Sequence, residues 1–232
     1  MSAGTPASGT LPETQVRVMF DRIARIYDRM NGVMTAGMHH RWRERAADLA
    51  RVGPGDRALD VATGTGDLAV ELAGRGASVT GLDFSGRMLD LAREKAPQIE
   101  WVQGNALGLA YEKDTFDAVT VGFGARNFSD LDQGLSEMVR VARPGGRVVI
   151  LEITTPERPP LSWFFRLWFD RAIPALGRLA DSEAYTYLPS SVRRFPRAQE
   201  LGARMAEAGL KDVRWLLTAG GIIAIHVGRR QL

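Results

Sequence analysis

Apolar positions along the chain change period, and the changes mark the elements. Between 15 and 30, Val18, Met19, Ile23, Ile26, Tyr27 and Met30 recur at helical spacing, so a helix is predicted there and a second over 38–52. At 57–62 the period disappears. Ala58, Leu59, Val61 and Ala62 make a nearly unbroken apolar run, the pattern of a strand buried on both faces of a parallel sheet. Gly64-Thr65-Gly66 follows at once and leads into a short amphipathic helix at 67–75. Strands and helices then alternate: strand 78–83, helix 86–95, strands 99–103 and 116–123, helix 130–142, and strand 147–154 after the Pro144-Gly145-Gly146 turn. Such alternation predicts a doubly wound parallel sheet.

The rhythm breaks twice. Pro156, Pro159 and Pro160 end the last of these strands, and Leu161-Ser162-Trp163-Phe164-Phe165-Arg166-Leu167-Trp168-Phe169 follows, apolar nearly all round. The stretch 155–195 reads as a helical cap insertion, either packed against the protein or lining a greasy channel or membrane contact, with Pro174 bending or ending its helix. Beyond a helix at 196–208, two strand-like runs, 213–218 and 222–227, are separated only by Ala219-Gly220-Gly221. Three residues cannot make a parallel crossover, so these runs must pair as an antiparallel hairpin. The predicted architecture is α/β: a seven-stranded, mostly parallel sheet with an antiparallel C-terminal hairpin, a helical N-terminal extension (15–52) and a helical cap, in one domain over 15–232. Residues 1–14 are small, polar and Pro/Gly-bearing, with neither the basic start nor the apolar centre of a signal peptide, and read as a disordered tail.

Composition narrows the chemistry. No cysteine occurs, which excludes a disulfide framework, a thiolate nucleophile and a Cys-based metal site, and fits a reducing cytoplasm. Three histidines argue against a zinc centre. A net charge of +3 spread over scattered arginines suits dwelling at an anionic membrane surface better than a nucleic-acid groove. No run of apolar residues is long enough to span a bilayer.

The glycine turn after the first strand is the first candidate site. Gly64 and Gly66 permit positive φ and let a ligand approach, and the helix that follows presents free N–H groups. The loose GxGxxA pattern of Gly64, Gly66 and Ala69 is shared by NAD enzymes and methyltransferases, so other residues must decide. Asp83 ends the second strand, where an acid can accept both ribose hydroxyl hydrogens, or equally cap a helix. Asp60 lies inside the first strand, where a carboxylate is costly to bury without a partner. It suits a cation such as an α-ammonium or a sulfonium and would repel the pyrophosphate of NAD, which favours S-adenosylmethionine. A short-chain reductase would also need a tyrosine followed four residues later by lysine, and none occurs.

Several separated motifs then point one way. Tyr27-Asp28-Arg29-Met30-Asn31, Met34-Thr35, His39 and Trp42 near the N-terminus are followed by Phe123-Gly124-Ala125-Arg126-Asn127. Arg140-Val141-Ala142-Arg143-Pro144-Gly145-Gly146 continues through Glu152-Ile153-Thr154, and Tyr185-Thr186-Tyr187-Leu188-Pro189-Ser190-Ser191 and Gly220-Gly221-Ile222 close the series. In order and spacing these resemble the ubiquinone/menaquinone biosynthesis C-methyltransferase family, over about 16–227. Thr35, Ala142 and Gly122 depart from its usual residues, and Gly122 lacks the hydroxyl that often faces the cofactor. The resemblance implies a Rossmann-like class I S-adenosylmethionine-dependent methyltransferase that methylates a ring carbon of a prenylated quinol, most like demethylmenaquinol to menaquinol. The benzoquinol step of ubiquinone biosynthesis and a non-catalytic cofactor-binding scaffold are the alternatives. By position, Thr65 and Asp83 would contact the cofactor and Asn105-Ala106 would border its adenine, although Asn105 taken alone reads as a turn residue.

The chemistry has its own requirements. A quinone carbon is electrophilic, so the ring must be reduced and one hydroxyl, titrating near ~10, must be ionised to make the adjacent carbon nucleophilic. Arg126 after the fourth strand can stabilise that phenolate but is a poor base, so the proton goes to water oriented by Arg126, Asn127 or Tyr27. His39 could exchange a proton near neutrality or be a capping histidine, and Tyr27 on an apolar stripe could equally be core. Nothing in this chemistry requires a metal. Peripheral contact with the membrane follows from the greasy substrate, and homodimerisation is left open.

Overall fold

The computed structural model describes residues 12–35, 37–156, 159, 161–167, 171 and 183–231, with the side chains of 26, 27, 29, 30, 33, 164, 166 and 183–186 also outside the description. Seven strands form one sheet: β1 (Arg57–Val61), β2 (Ser78–Asp83), β3 (Glu100–Gln103), β4 (Phe116–Gly122), β5 (Ala142–Ile153), β6 (Leu210–Thr218) and β7 (Ile223–Arg230). Their order is β3-β2-β1-β4-β5-β7-β6. The first five are mutually parallel, and β7 inserts antiparallel between β5 and β6. The short connection at 219–221 forces that reversal, as its length requires. Because β2 and β4 flank β1 on opposite sides, the winding changes direction at β1, and a crevice opens beyond the carboxyl ends of these strands.

Alternation along the strands loads both faces of the sheet. Ala58 of β1 packs with Trp42, Ala46 and Ala50 of α2 (Met38–Ala50), Leu68 and Leu72 of α3 (Asp67–Ala73) and Leu89 of α4 (Gly86–Lys95). Leu59 and Val61 point the other way, onto Leu135 and Met138 of α5 (Leu131–Val141) and across to Leu201 and Met205 of the helix Ala198–Glu207. Asp60 therefore shares the face of Ala58, beneath α2. Helix α1 (Glu13–Thr35) lies outside this frame, joined to it through Val16 and Met19, which pack on Tyr187. Tyr187 belongs to α7 (Glu183–Arg194), which with α6 (Leu161–Leu167) is the described part of the cap; α8 is the helix Ala198–Glu207.

Four boundaries differ from the sequence expectation, each for a local reason. Helix α1 begins at Glu13, whose charge suits a helix N-terminus, so 13–14 are not tail; residues 1–11 lie outside the described residues. It also continues to Thr35, whose hydroxyl donates to the Asn31 carbonyl at 2.6 Å, and Gly37 at φ 76° then turns the chain into α2. Strand β5 begins at Ala142, because Pro144-Gly145-Gly146 forms a bulge: Phe116 pairs with Ala142 but Ala118 with Arg147. A second bulge, between Lys211 and Arg214, lets β6 start at Leu210. Residues 168–170 and Pro174 of the apolar cap segment lie outside the described residues.

Candidate functional site

A cleft of about 870 Å³, including its open mouth, sits over the ends of β1, β2 and β4. Asp60 lies at its base, 1% exposed, with Thr120 of β4 donating to one carboxylate oxygen and Thr63 to the other, both at 2.6 Å. Burial pushes its carboxyl up to about 6, while the two hydroxyls and the nearby Arg43 charge pull it down. Asp83 ends β2 beside it. One oxygen accepts the Gly64 N–H at 2.8 Å and the other the Ser85 N–H at 2.9 Å, yet burial still lifts this carboxyl to about 6. Each is a carboxylate held rigidly in a place where water cannot fully solvate it.

The two glycines of the turn do different work. Gly64 has φ +58°, and a Cβ built on it would meet nothing within 4 Å, so its α-carbon faces open cleft. Gly66, at φ +86°, would place a Cβ 2.3 Å from the Trp101 ring, and it is not among the residues lining the cleft. Gly64 is thus the glycine of the pair that faces the cleft, while Gly66 lets α3 approach the sheet over Trp101. Strain gathers around the same mouth: Ala62, after β1, and Phe123, after β4, are non-glycine residues at φ 50° and 59°, and both line the cleft.

Helix α1 crosses the cleft and contributes Glu13 and Phe20 to its lining. Three polar ties hold it there. Asn105 donates to Glu13 at 2.8 Å, Ser85 donates to Asp21 at 2.5 Å, and Thr65 donates to Asp28 at 2.7 Å, with Lys95 bridging Asp28 (2.9 Å) and Asp67 (2.6 Å). Thr65 lines the cleft, but its hydroxyl is committed to this network. Asn105 also accepts the Leu107 N–H at 2.9 Å, so it is a turn residue as well as part of the lining beside the buried Ala106.

The expected catalytic residues are spread more widely. Asn127 lines the cleft from the 3₁₀ turn Ala125–Asn127, and its Oδ1 is buried without a hydrogen-bond partner. Arg126 does not line the cleft; its side chain is 8% exposed and paired with Glu152, itself 1% exposed, at 2.7 Å. His39 does not line it either. It is buried in α2 with its Nδ1 against the Arg43 guanidinium, and burial, then Arg43 and His40, hold its pKa below the usual value. The Tyr27 and Tyr185 side chains lie outside the described residues. Two functional candidates escaped the pattern. Arg43 looks like one more base on an amphipathic helix, and Glu152 like a strand residue; only the fold brings the first into the cleft and the second under Arg126.

A demethylmenaquinone methyltransferase of Thermus thermophilus is 45% identical over 220 residues, covering 91% of this chain and 100% of that one. A ubiquinone/menaquinone biosynthesis C-methyltransferase UbiE of Brucella canis is 42% identical over 228 residues, covering 92% of this chain and 84% of that one. Among solved structures, one from Thermotoga maritima described as a SAM-dependent methyltransferase superposes with a TM-score of 0.67 over 92% of this chain and 98% of that one. At 18% identity it shares the fold alone, which is that of the class I methyltransferases. The model of the ubiE/COQ5 methyltransferase family matches residues 9–230, which takes in the carboxylate-lined cleft, the cap and both N-terminal helices, and the chain belongs to that family.

Proposed function

We propose that this chain methylates a ring carbon of a prenylated quinol, with demethylmenaquinol giving menaquinol as the reaction, and that S-adenosylmethionine fills the cleft. The observation that carries the substrate is the match, along 100% of its length, to the relative named demethylmenaquinone methyltransferase. The cleft fits the cofactor on its own terms. Asp60 suits the cationic methionine end, Asp83 keeps acceptor lone pairs for ribose hydroxyls, and the open α-carbon face of Gly64 leaves room between them. Asn105 and Ala106 border the far end, where an adenine edge would lie.

When bound, the cofactor supplies an electrophilic methyl group on sulfur. The chain's task is to hold the reduced ring in line with it and to favour loss of one quinol proton. We assign this to Asn127, a residue of the cleft lining whose buried Oδ1 has no hydrogen-bond partner and so keeps the capacity to accept a hydrogen from the water that takes the proton. Arg126 stabilises the developing phenolate from behind, through a charge that Glu152 partly offsets. The proton leaves through water, because the Arg126 guanidinium hardly ever gives up its own proton and cannot act as the base.

No helix among the described residues is long and apolar enough to cross a membrane. Access to a prenylated substrate is assigned to α6, where Trp163 and Leu167, one turn apart, are 63% and 59% exposed. Flotation with anionic liposomes tests this contact, and loss of flotation in a Trp163→Ser variant supports it. Association of two copies would use the sheet edge, where β6 exposes Trp215, Leu216 and Leu217; sedimentation at two concentrations tests it.

The decisive experiment is single-turnover transfer from labelled S-adenosylmethionine to chemically reduced demethylmenaquinol, beside a demethylated benzoquinol and a control without reductant. Label in the naphthoquinol only, and only with reductant, supports the proposal. Label in the benzoquinol alone moves the reaction to ubiquinone biosynthesis, and bound cofactor without transfer to either ring leaves a scaffold.

A further inference from the structure

Among the described residues lining the cleft, four are acidic, Glu13, Asp60, Asp67 and Asp83, and one is cationic, Arg43. A cation buried to 6% exposure beside a ligand cleft is costly unless something anionic meets it, and the anions among the described residues meet this one incompletely. Asp67 approaches the guanidinium only to 3.4 Å and is itself drawn to Lys95 at 2.6 Å, while His39 offers a neutral nitrogen to Nη1. Phe123, at φ 59° on the cleft wall, carries the guanidinium over its ring at 5.5 Å, which fixes the plane of the group without neutralising it.

We propose that Arg43 receives the α-carboxylate of the cofactor's methionine moiety while Asp60 faces its cationic end. The site thereby recognises a zwitterion. Arg43 and Asp60 line the same cleft, and the Arg43 charge acts on the Asp60 carboxyl, so one cleft offers a cation and an anion to a single ligand. Both belong to the same face of the sheet, but they come from different parts of the chain: Asp60 from β1, Arg43 from the helical extension that precedes the sheet. The extension is then part of the cofactor site. His39, which does not line the cleft, acts through Arg43 as a positioning residue, its Nδ1 taking a guanidinium hydrogen. Arginine suits the role because its planar fork matches a carboxylate in two hydrogen bonds, which lysine cannot do.

The inference rests on the cofactor reading but not on the quinol, and it is tested by binding alone. Three nucleosides are titrated calorimetrically into the full chain. S-adenosylhomocysteine keeps the amino-acid group, its decarboxylated analogue keeps only the ammonium, and 5′-methylthioadenosine lacks both. On the unaltered protein the decarboxylated analogue should bind about 10- to 100-fold more weakly than S-adenosylhomocysteine, the size of a charge-assisted pair. Arg43→Gln should remove that difference while leaving 5′-methylthioadenosine within about twofold, and Arg43→Lys should recover only part of it. Equal affinities for the first two ligands on the unaltered protein overturn the assignment without any variant having to fold. An equal loss for all three ligands in Arg43→Gln overturns it too, by making the residue structural. If S-adenosylhomocysteine does not bind the unaltered protein at all, the cofactor reading fails and the role of Arg43 fails with it.

Discussion

Glu152 holds Arg126 at two points: its Oε1 accepts from Nη1 at 2.7 Å and its Oε2 accepts the Arg126 backbone N–H at 3.2 Å. The Ile153 N–H also donates to Oε1, at 2.8 Å, and Nη1 reaches the Phe123 carbonyl at 2.5 Å. One buried carboxylate thus sets both the guanidinium and the turn that presents Asn127. In Glu152→Gln, either orientation of the amide turns its NH₂ toward a donor, so the turn shifts and Arg126 loses the carboxylate that offsets its buried charge. Breaking such a pair costs roughly 3–5 kcal/mol of stability. Methyl transfer should fall more than tenfold in kcat, while the S-adenosylhomocysteine affinity stays within about twofold, because Arg126 and Glu152 do not line the cofactor cleft. A parallel loss of cofactor affinity would place the pair in the wrong half of the site.

The glycines of the turn make a matched pair of tests. Gly66→Ala puts a methyl group 2.3 Å from the Trp101 ring in a left-handed backbone, and should lower stability by roughly 2–4 kcal/mol by urea unfolding. Gly64→Ala meets no atom and pays only for its φ, about 1 kcal/mol, but its methyl group projects into the cleft, so cofactor binding should weaken at least tenfold. Reversal of these two profiles would mean that Gly66, and not Gly64, faces the ligand.

Acidity should control the cofactor through Asp60 and Asp83, both lifted from 3.8 to about 6 by burial. A cationic ligand favours the ionised carboxylate, so affinity should rise with pH through about 6 and level off above, with proton uptake by buffer on binding at pH 6. The sign for stability is opposite. A carboxyl harder to ionise in the folded chain than in the unfolded one loses its stabilising contribution as pH climbs from 3.8 through about 6. Asp60→Asn should therefore gain on the wild type by about 2–3 kcal/mol between pH 4 and pH 7, from a shift of roughly two units at about 1.4 kcal/mol each. A pH-independent difference between the two proteins would remove Asp60 from the titration.

The parts of this site that were legible in the sequence are those written into single elements. A parallel strand buried on both faces announces itself as an apolar run, so β1, its glycine turn and the acid at the end of β2 could be placed before any contact was known. Asp60 stood out because a carboxylate inside such a run needs a reason. Pairings between distant elements left no such mark. Arg43 sits among His39, His40, Arg41 and Arg45 on a helix whose charges look solvated, and nothing local says that this one turns inward. Glu152 meets Arg126 only because β5 lies beside β4 in a register that a bulge at 144–146 adjusts. The same bulge hid the true start of β5, since Pro-Gly-Gly normally signals a turn. Asn105 shows the opposite case, where the turn reading and the cleft-lining reading both describe the same residue.

Asn127 offers the sharpest separation of function from stability. Its Oδ1 is buried without a partner, and an unpaired buried acceptor costs about 1–3 kcal/mol that the folded chain recovers only when something donates to it. Replacing the amide with a small apolar group removes that cost, so Asn127→Ala should melt at the same temperature as the wild type or higher. The same change deletes the acceptor that the proposed function assigns to the proton-carrying water, so single-turnover transfer to the reduced quinol should fall about 10- to 100-fold, the usual contribution of one positioned polar group. Cofactor affinity should hold, and raising the pH should partly restore the rate, because a quinol already ionised in solution needs less help in losing its proton. If stability and transfer fall together, Asn127 is a structural residue whose partner forms in the folded protein, and the acceptor for the quinol hydrogen must be sought elsewhere on the cleft wall.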